Sequence, residues 1–159
     1  MALDELQRML CSVNQLFYEN TTEGAYATLF FAEYDDATRR LRYANCGHLC
    51  ALLVRRDRSI ERLHSTSTVL GLFSEWDCEI GERWLAAGDT LVLYTDGITE
   101  SFNDAEEEYG EQRLIEALLR NRKLSSQNLL TSVVDDVRRF SPNEQQDDIT
   151  LIVARCRET

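Results

Sequence analysis

Several things are scarce in this 159-residue chain. It has one proline, two histidines and no Cys-x-x-Cys pair. No apolar run approaches the roughly 18 residues that a membrane-spanning helix needs. The opening stretch "MALDELQRMLCSVNQLFYEN" carries Asp4 and Glu5 and lacks a continuous apolar centre. It therefore reads as neither a signal peptide nor a membrane helix. Basic residues are also outnumbered: 17 Lys and Arg stand against 28 Asp and Glu, a net charge of −11. Such a chain repels phosphate backbones and anionic lipid, so neither nucleic acid nor membrane is an expected partner. The acidity suits divalent cations and, more simply, solubility.

The five cysteines are odd in number. A zinc reading of Cys46-x-His48-x-Cys50 finds no further ligands nearby. On a strand these three residues would share one face, which is ordinary packing. Reduced thiols are the expectation, and with them a cytoplasmic location. No repeat, low-complexity tract or linker breaks the chain, and 43% hydrophobic residues suffice for a core. One domain over 1–159 is expected.

The residues that are present fall into clear periods. Leu3, Leu6, Met9, Leu10, Val13, Leu16 and Phe17 recur at helical spacing. The β-rich run "YATLFFAEYD" follows, then a polar turn at "DATRR". "LRYANCGH" and "LCALLVRRD" are further strand candidates, with a hairpin turn at 55–59 and a return over Ile60 to Leu63. "STSTVLGLF" reads as a loop. "CEIGERWLAAGDTLVLYTDG" holds a strand, a Gly88-Asp89 turn and a second strand. Leu91 to Tyr94 is apolar without alternation, which predicts burial on both faces. Leu114, Ile115, Leu118 and Leu119 mark one helix. Leu129, Leu130, Val133, Val134 and Val137 mark another, with a serine near its start as cap and Pro142 beyond its end. "DDITLIVAR" closes the chain as a strand. Helix, many strands, two helices and a strand is an α+β order.

Two strands have acids at their ends. Asp96 follows Leu91–Thr95, and Asp147–Asp148 precedes Ile149–Val153. If these strands lie antiparallel and adjacent, the carboxylates gather at one sheet edge. Acids that close repel one another unless a cation sits between them, and hard oxygen donors suit Mg²⁺ or Mn²⁺. Gly97 would let the chain turn sharply away. Spacing alone fits an ordinary Asp-Gly turn and a solvated strand start at least as well.

The motifs "GDTLVLYTDGITESFN", "YANCGH", "VLGLF", "EEYGEQRL" and "QQDDITLIV" occur together in one order. Taken together, from about Leu6 to Arg155, they resemble the SpoIIE-type branch of the metal-dependent PPM serine/threonine phosphatases, the protein phosphatase 2C-like superfamily. The resemblance implies a β-sandwich of two mainly antiparallel sheets flanked by helices, with two Mn²⁺ or Mg²⁺ ions at one end. It implies hydrolysis of phosphoserine or phosphothreonine by a metal-bound hydroxide. Asp96 resembles the metal-binding acid of the family's T-D-G motif, and Asp147 the first acid of its D-D or D-N motif. Asp148 and Gly97 would then support the ligands. Glu100 and Asn103 match positions beside the site that orient its loop. Asn45, Gly47 and His48 match an A-G-H turn, except that Cys46 replaces its small residue and Leu49-Cys50 replaces a frequent Asn-Pro. His48 reads as structural. Tyr109, Gly110 and Arg113 read as packing and helix-start positions.

One family segment has no counterpart. Members begin with a Gly- and Asp-rich stretch whose acid and following carbonyl hold both metals, whereas Asp96-Gly97 is the only Asp-Gly pair here. The opening helix instead resembles the second of two helices that follow that stretch, with Asn14 at a matching asparagine. The chain thus reads as an N-terminally incomplete phosphatase domain. At most one weak metal site is expected, and feeble or no activity in isolation. Uncovered sheet edges and apolar faces predict self-association, as a dimer that covers or exchanges elements. The implied partner is a phosphorylated protein of the anti-sigma-factor-antagonist type. A haloacid-dehalogenase reading fails because Tyr94 stands where that family's nucleophilic aspartate belongs. A catalytically dead pseudophosphatase or interaction module is the alternative.

Overall fold

The computed structural model describes residues 4–142 and 148–157. They form seven strands and four helices in two compact units, one from residues 1–50 and 63–85, the other from 51–62 and 86–159. The α+β order predicted from the sequence holds.

The first unit opens with helix α1 (Glu5–Asn20). Asp4 caps it, accepting from the Leu6 amide, while Gln7 reaches back to the Asp4 amide in a reciprocal capping box. Leu6, Leu10 and Asn14 form its buried face. Strands β1 (Leu29–Asp35), β2 (Arg40–Cys46) and β5 (Gly81–Trp84) make an antiparallel sheet in the order β1-β2-β5. Its core gathers Leu6, Leu10, Ala44, Cys46, Leu70 and Cys78. Asn14, buried in that unit, receives the Gly71 amide at 2.8 Å and donates to the Phe73 carbonyl at 3.0 Å. One amide side chain thereby pins "VLGLF" onto the helix, which satisfies two otherwise orphaned backbone groups.

The second unit contains β3 (Ala51–Val54), β4 (Ile60–Leu63), β6 (Thr90–Tyr94) and β7 (Leu151–Arg155) in the order β4-β3-β6-β7. The expected hairpin at 55–59 is present, closed by Arg55 and Ser59. Leu91, Val92 and Tyr94 are buried, as the unalternating run predicts, with Leu93 only partly covered. Asp89, 2% exposed, accepts from the Arg56 and Ala86 amides and from Arg55, so the turn after Gly88 carries a satisfied buried acid. Helix α3 (Gly110–Arg120) and helix α4 (Ser126–Phe140) bring Leu114, Leu118, Leu129, Val133 and Val137 into one core with Leu52, Val92 and Ile98. Ser125 is the α4 cap, accepting from Asn128. Tyr109 is a packing residue, 1% exposed and edge-on to Phe140.

One strand expectation fails. β2 ends at Cys46, and Gly47 turns the chain with φ +71°. His48 and Cys50 therefore do not extend a strand face. A Cβ at Gly47 would meet Val69 Cγ1 at 2.6 Å, so both the backbone and the space exclude other residues. Apolar alternation continued through the turn, and only the tertiary contact breaks it.

Candidate metal centre

The site is built from the ends of β6 and β7. The two strands pair antiparallel, with Thr90 opposite Arg155 and Tyr94 opposite Leu151. Beyond Tyr94 the pairing continues through one residue. The Thr95 amide donates to the Thr150 carbonyl at 3.1 Å. Its Oγ1 accepts from the Thr150 amide at 3.0 Å and donates to the Asp148 carbonyl at 3.2 Å. Thr95 thus staples the start of one strand to the end of the other. This brings Asp96 and Asp148 to the same sheet edge, as the antiparallel hypothesis requires. Asp147 lies outside the described residues.

Asp96 opens the short helix α2 (Asp96–Thr99). Its carbonyl accepts from the Glu100 amide at 2.7 Å, and its Oδ1 accepts from the Gly97 amide at 3.0 Å. The carboxylate is exposed. Gly97 is buried within the helical turn and lacks positive φ, so the sharp turn expected there is not left-handed. A helical turn redirects the chain instead, locked by Ser101, whose Oγ donates to the Gly97 carbonyl at 2.8 Å. Ser101 is 3% exposed and escaped the sequence reading; a small hydroxyl four residues after a Gly is the signal.

The supporting positions separate. Glu100, exposed, closes α2 through its amide. Asn103 folds the following loop: its Oδ1 accepts from the Ala105 and Glu107 amides at 3.0 and 2.9 Å, and its Nδ2 donates to Glu107. His48 belongs to the first unit. Its amide donates to Asn45 Oδ1 at 2.9 Å, and its ring Nδ1 lies 3.2 Å from the Leu49 carbonyl. Buried Asn45 also donates to the Leu49 and Leu63 carbonyls, so it organises the turn that carries His48. Among the described residues, no group of three or more His, Cys, Asp or Glu side chains converges.

The family profile described as Stage II sporulation protein E (SpoIIE) matches residues 2–157. The chain belongs to the SpoIIE family. It is 28% identical over 151 residues to phosphoserine phosphatase RsbU of Bacillus subtilis, which covers 93% of this chain and 44% of that protein. It is 31% identical over 127 residues to protein IcfG of a Synechocystis species, covering 80% of this chain and 20% of that one. This SpoIIE-family chain therefore spans less than half the length of these relatives. Its fold matches the SiaA-PP2C domain of Pseudomonas aeruginosa with a TM-score of 0.81 at 19% identity, over 92% of this chain and 59% of that one. The phosphatase domain of SpoIIE from Bacillus subtilis aligns with a TM-score of 0.69 at 21% identity, over 99% and 69% of the two chains. The fold thus places "YTDG" beside Asp148–Thr150, which the motifs alone only implied.

Proposed function

We propose that this chain is part of a metal-dependent serine/threonine phosphatase domain, with Asp96 and Asp147 as ligands of Mn²⁺ or Mg²⁺. The observation that carries the reading is the Thr95 staple, which sets an exposed carboxylate beside the start of β7. Asp96 fits a hard cation: it is an exposed carboxylate oxygen donor at the strand end. Asp148, Gly97, Glu100 and Asn103 support the site, and His48 holds the shape of its own turn. A bound cation would supply an activated water and neutralise charge on the phosphoryl oxygens. The chain's own part is positional: Thr95 fixes the two strand ends, and the helical turn of α2 fixes the Asp96 backbone.

The substrate class is a phosphoserine or phosphothreonine protein of the anti-sigma-factor-antagonist type, and the setting is cytoplasmic. With few ligands in the chain, its own activity is weak and the complete domain's is full. Self-association, as a dimer that covers exposed apolar surface, completes the reading.

Hydrolysis of a phosphoserine peptide with Mn²⁺ tests it. Asp96→Asn is expected to lower the metal-dependent rate by at least about 100-fold, in this chain or in a longer one that contains it. A longer chain whose rate ignores Asp96→Asn would sink the assignment. Mn²⁺ binding without turnover in every form would favour the pseudophosphatase reading.

A further inference from the structure

Cys50 and His64 form a pair that the phosphatase reading does not use. The Cys50 Sγ lies 3.3 Å from His64 Nδ1, inside hydrogen-bond reach for sulfur. Both residues belong to the first unit: Cys50 follows the Asn45–Leu49 turn, and His64 follows β4. His64 is exposed and Cys50 partly so, so a small reagent reaches the sulfur. The second histidine is otherwise engaged, since the His48 ring lies on the Leu49 carbonyl. Cys50 also stands where the A-G-H turn resemblance departs from its usual Asn-Pro continuation.

The other thiols are poorly placed. Cys46, Cys78 and Cys156 are 0%, 1% and 8% exposed. Cys46 and Cys78 are free thiols that lie together inside the core. Cys11 is partly accessible, but burial and the neighbouring Asp77 carboxylate push its thiol upward and keep it protonated. Only Cys50 combines access with an adjacent base.

We propose that Cys50, assisted by His64, is a site of reversible thiolation by low-molecular-weight disulfides of the glutathione type. His64 Nδ1 takes the Cys50 proton. The resulting thiolate attacks one sulfur of the disulfide. A new S–S bond forms to Cys50 as the original S–S bond breaks. The departing thiolate recovers the proton from His64 and leaves as a thiol, so no outside oxidant is required. A reduced thiol reverses the exchange by the same route. The site stands independently of the phosphatase reading.

The test treats the 159-residue chain with glutathione disulfide at neutral pH and maps the modified peptides by mass. Cys50 should carry most of the adduct, and a reducing thiol should remove it. His64→Gln and His64→Ala should each slow its formation about threefold, because gained thiolate is partly offset by lower nucleophilicity. A second readout does not depend on those variants. The ultraviolet thiolate absorbance of the parent should exceed that of Cys50→Ser at neutral pH. Equal absorbance, labelling of Cys11 as fast as Cys50, or His64 variants that react at the parental rate would each overturn the assignment.

Discussion

At the scale of single residues, the site depends on hydroxyls and amides that carry no charge. Thr95 makes three bonds across two strand ends, two of them through Oγ1. Thr95→Val keeps the shape and removes both hydroxyl bonds. Urea titration should show a loss of about 1–2 kcal/mol, since the Asp148 carbonyl and Thr150 amide lose their partner. If Asp96 and Asp147 hold the cation, Mn²⁺-dependent turnover in a longer chain should fall by tenfold or more, because a group behind the ligands sets their position. Thr95→Ser should restore most of both. Turnover untouched by Thr95→Val would separate the staple from the chemistry. Asn14 and Asn45 act in the same way in the first unit. Each is buried, and each bonds through its side-chain amide to backbone groups of a neighbouring segment.

At the scale of elements, the α3–α4 pair joins apolar packing to a charged network. Tyr109 donates its hydroxyl to Asp136 Oδ2 at 2.9 Å, and Asp136 Oδ1 meets Arg120 and Arg139 at 3.2 and 3.3 Å. Burial, reinforced by the bond to Asp136, holds the Tyr109 hydroxyl well above its ordinary range. A group raised in the folded state stabilises it fully below its unfolded pKa and loses that contribution as pH climbs. The urea midpoint of the parent should therefore fall above about pH 10, where unfolded tyrosine ionises. Tyr109→Phe should cost about 1 kcal/mol at neutral pH and show a shallower decline at high pH. A decline of equal steepness in both proteins would assign the alkaline loss to other groups.

At the scale of the whole molecule, helix α1 presents an apolar stripe outward. Met9, Val13 and Leu16, spaced i, i+4, i+7, are 41%, 38% and 62% exposed. Isolated apolar residues are ordinary on a surface, but a stripe along one helix is not. Sedimentation should show association that grows with concentration, and Met9→Glu with Leu16→Lys should return the chain to monomer. A parent that stays monomeric at high concentration would remove the dimer from the proposed function. The acidic balance of −11 bears on solubility and on which partners approach, not on the fold.

The sequence by itself determined most elements, because their signals are local. Helical periods marked α1, α3 and α4, unalternating apolar runs marked β6 and β7, and Ser125 and Pro142 punctuated α4. It also determined the family, since five ordered motifs and the acids at strand ends survive in the primary order. It misplaced Cys46, His48 and Cys50 on one strand face, because apolar alternation says nothing of the Val69 contact that fits only glycine at position 47. The tertiary structure alone decided which strand ends meet. Asp96 and Asp148 are 52 positions apart, and only the β6–β7 register and the Thr95 bonds bring their strand ends together. The pairing of Cys50 with His64 was likewise settled in space: each residue is plain in the sequence, but a thiol acquires a base only when two distant segments fold side by side.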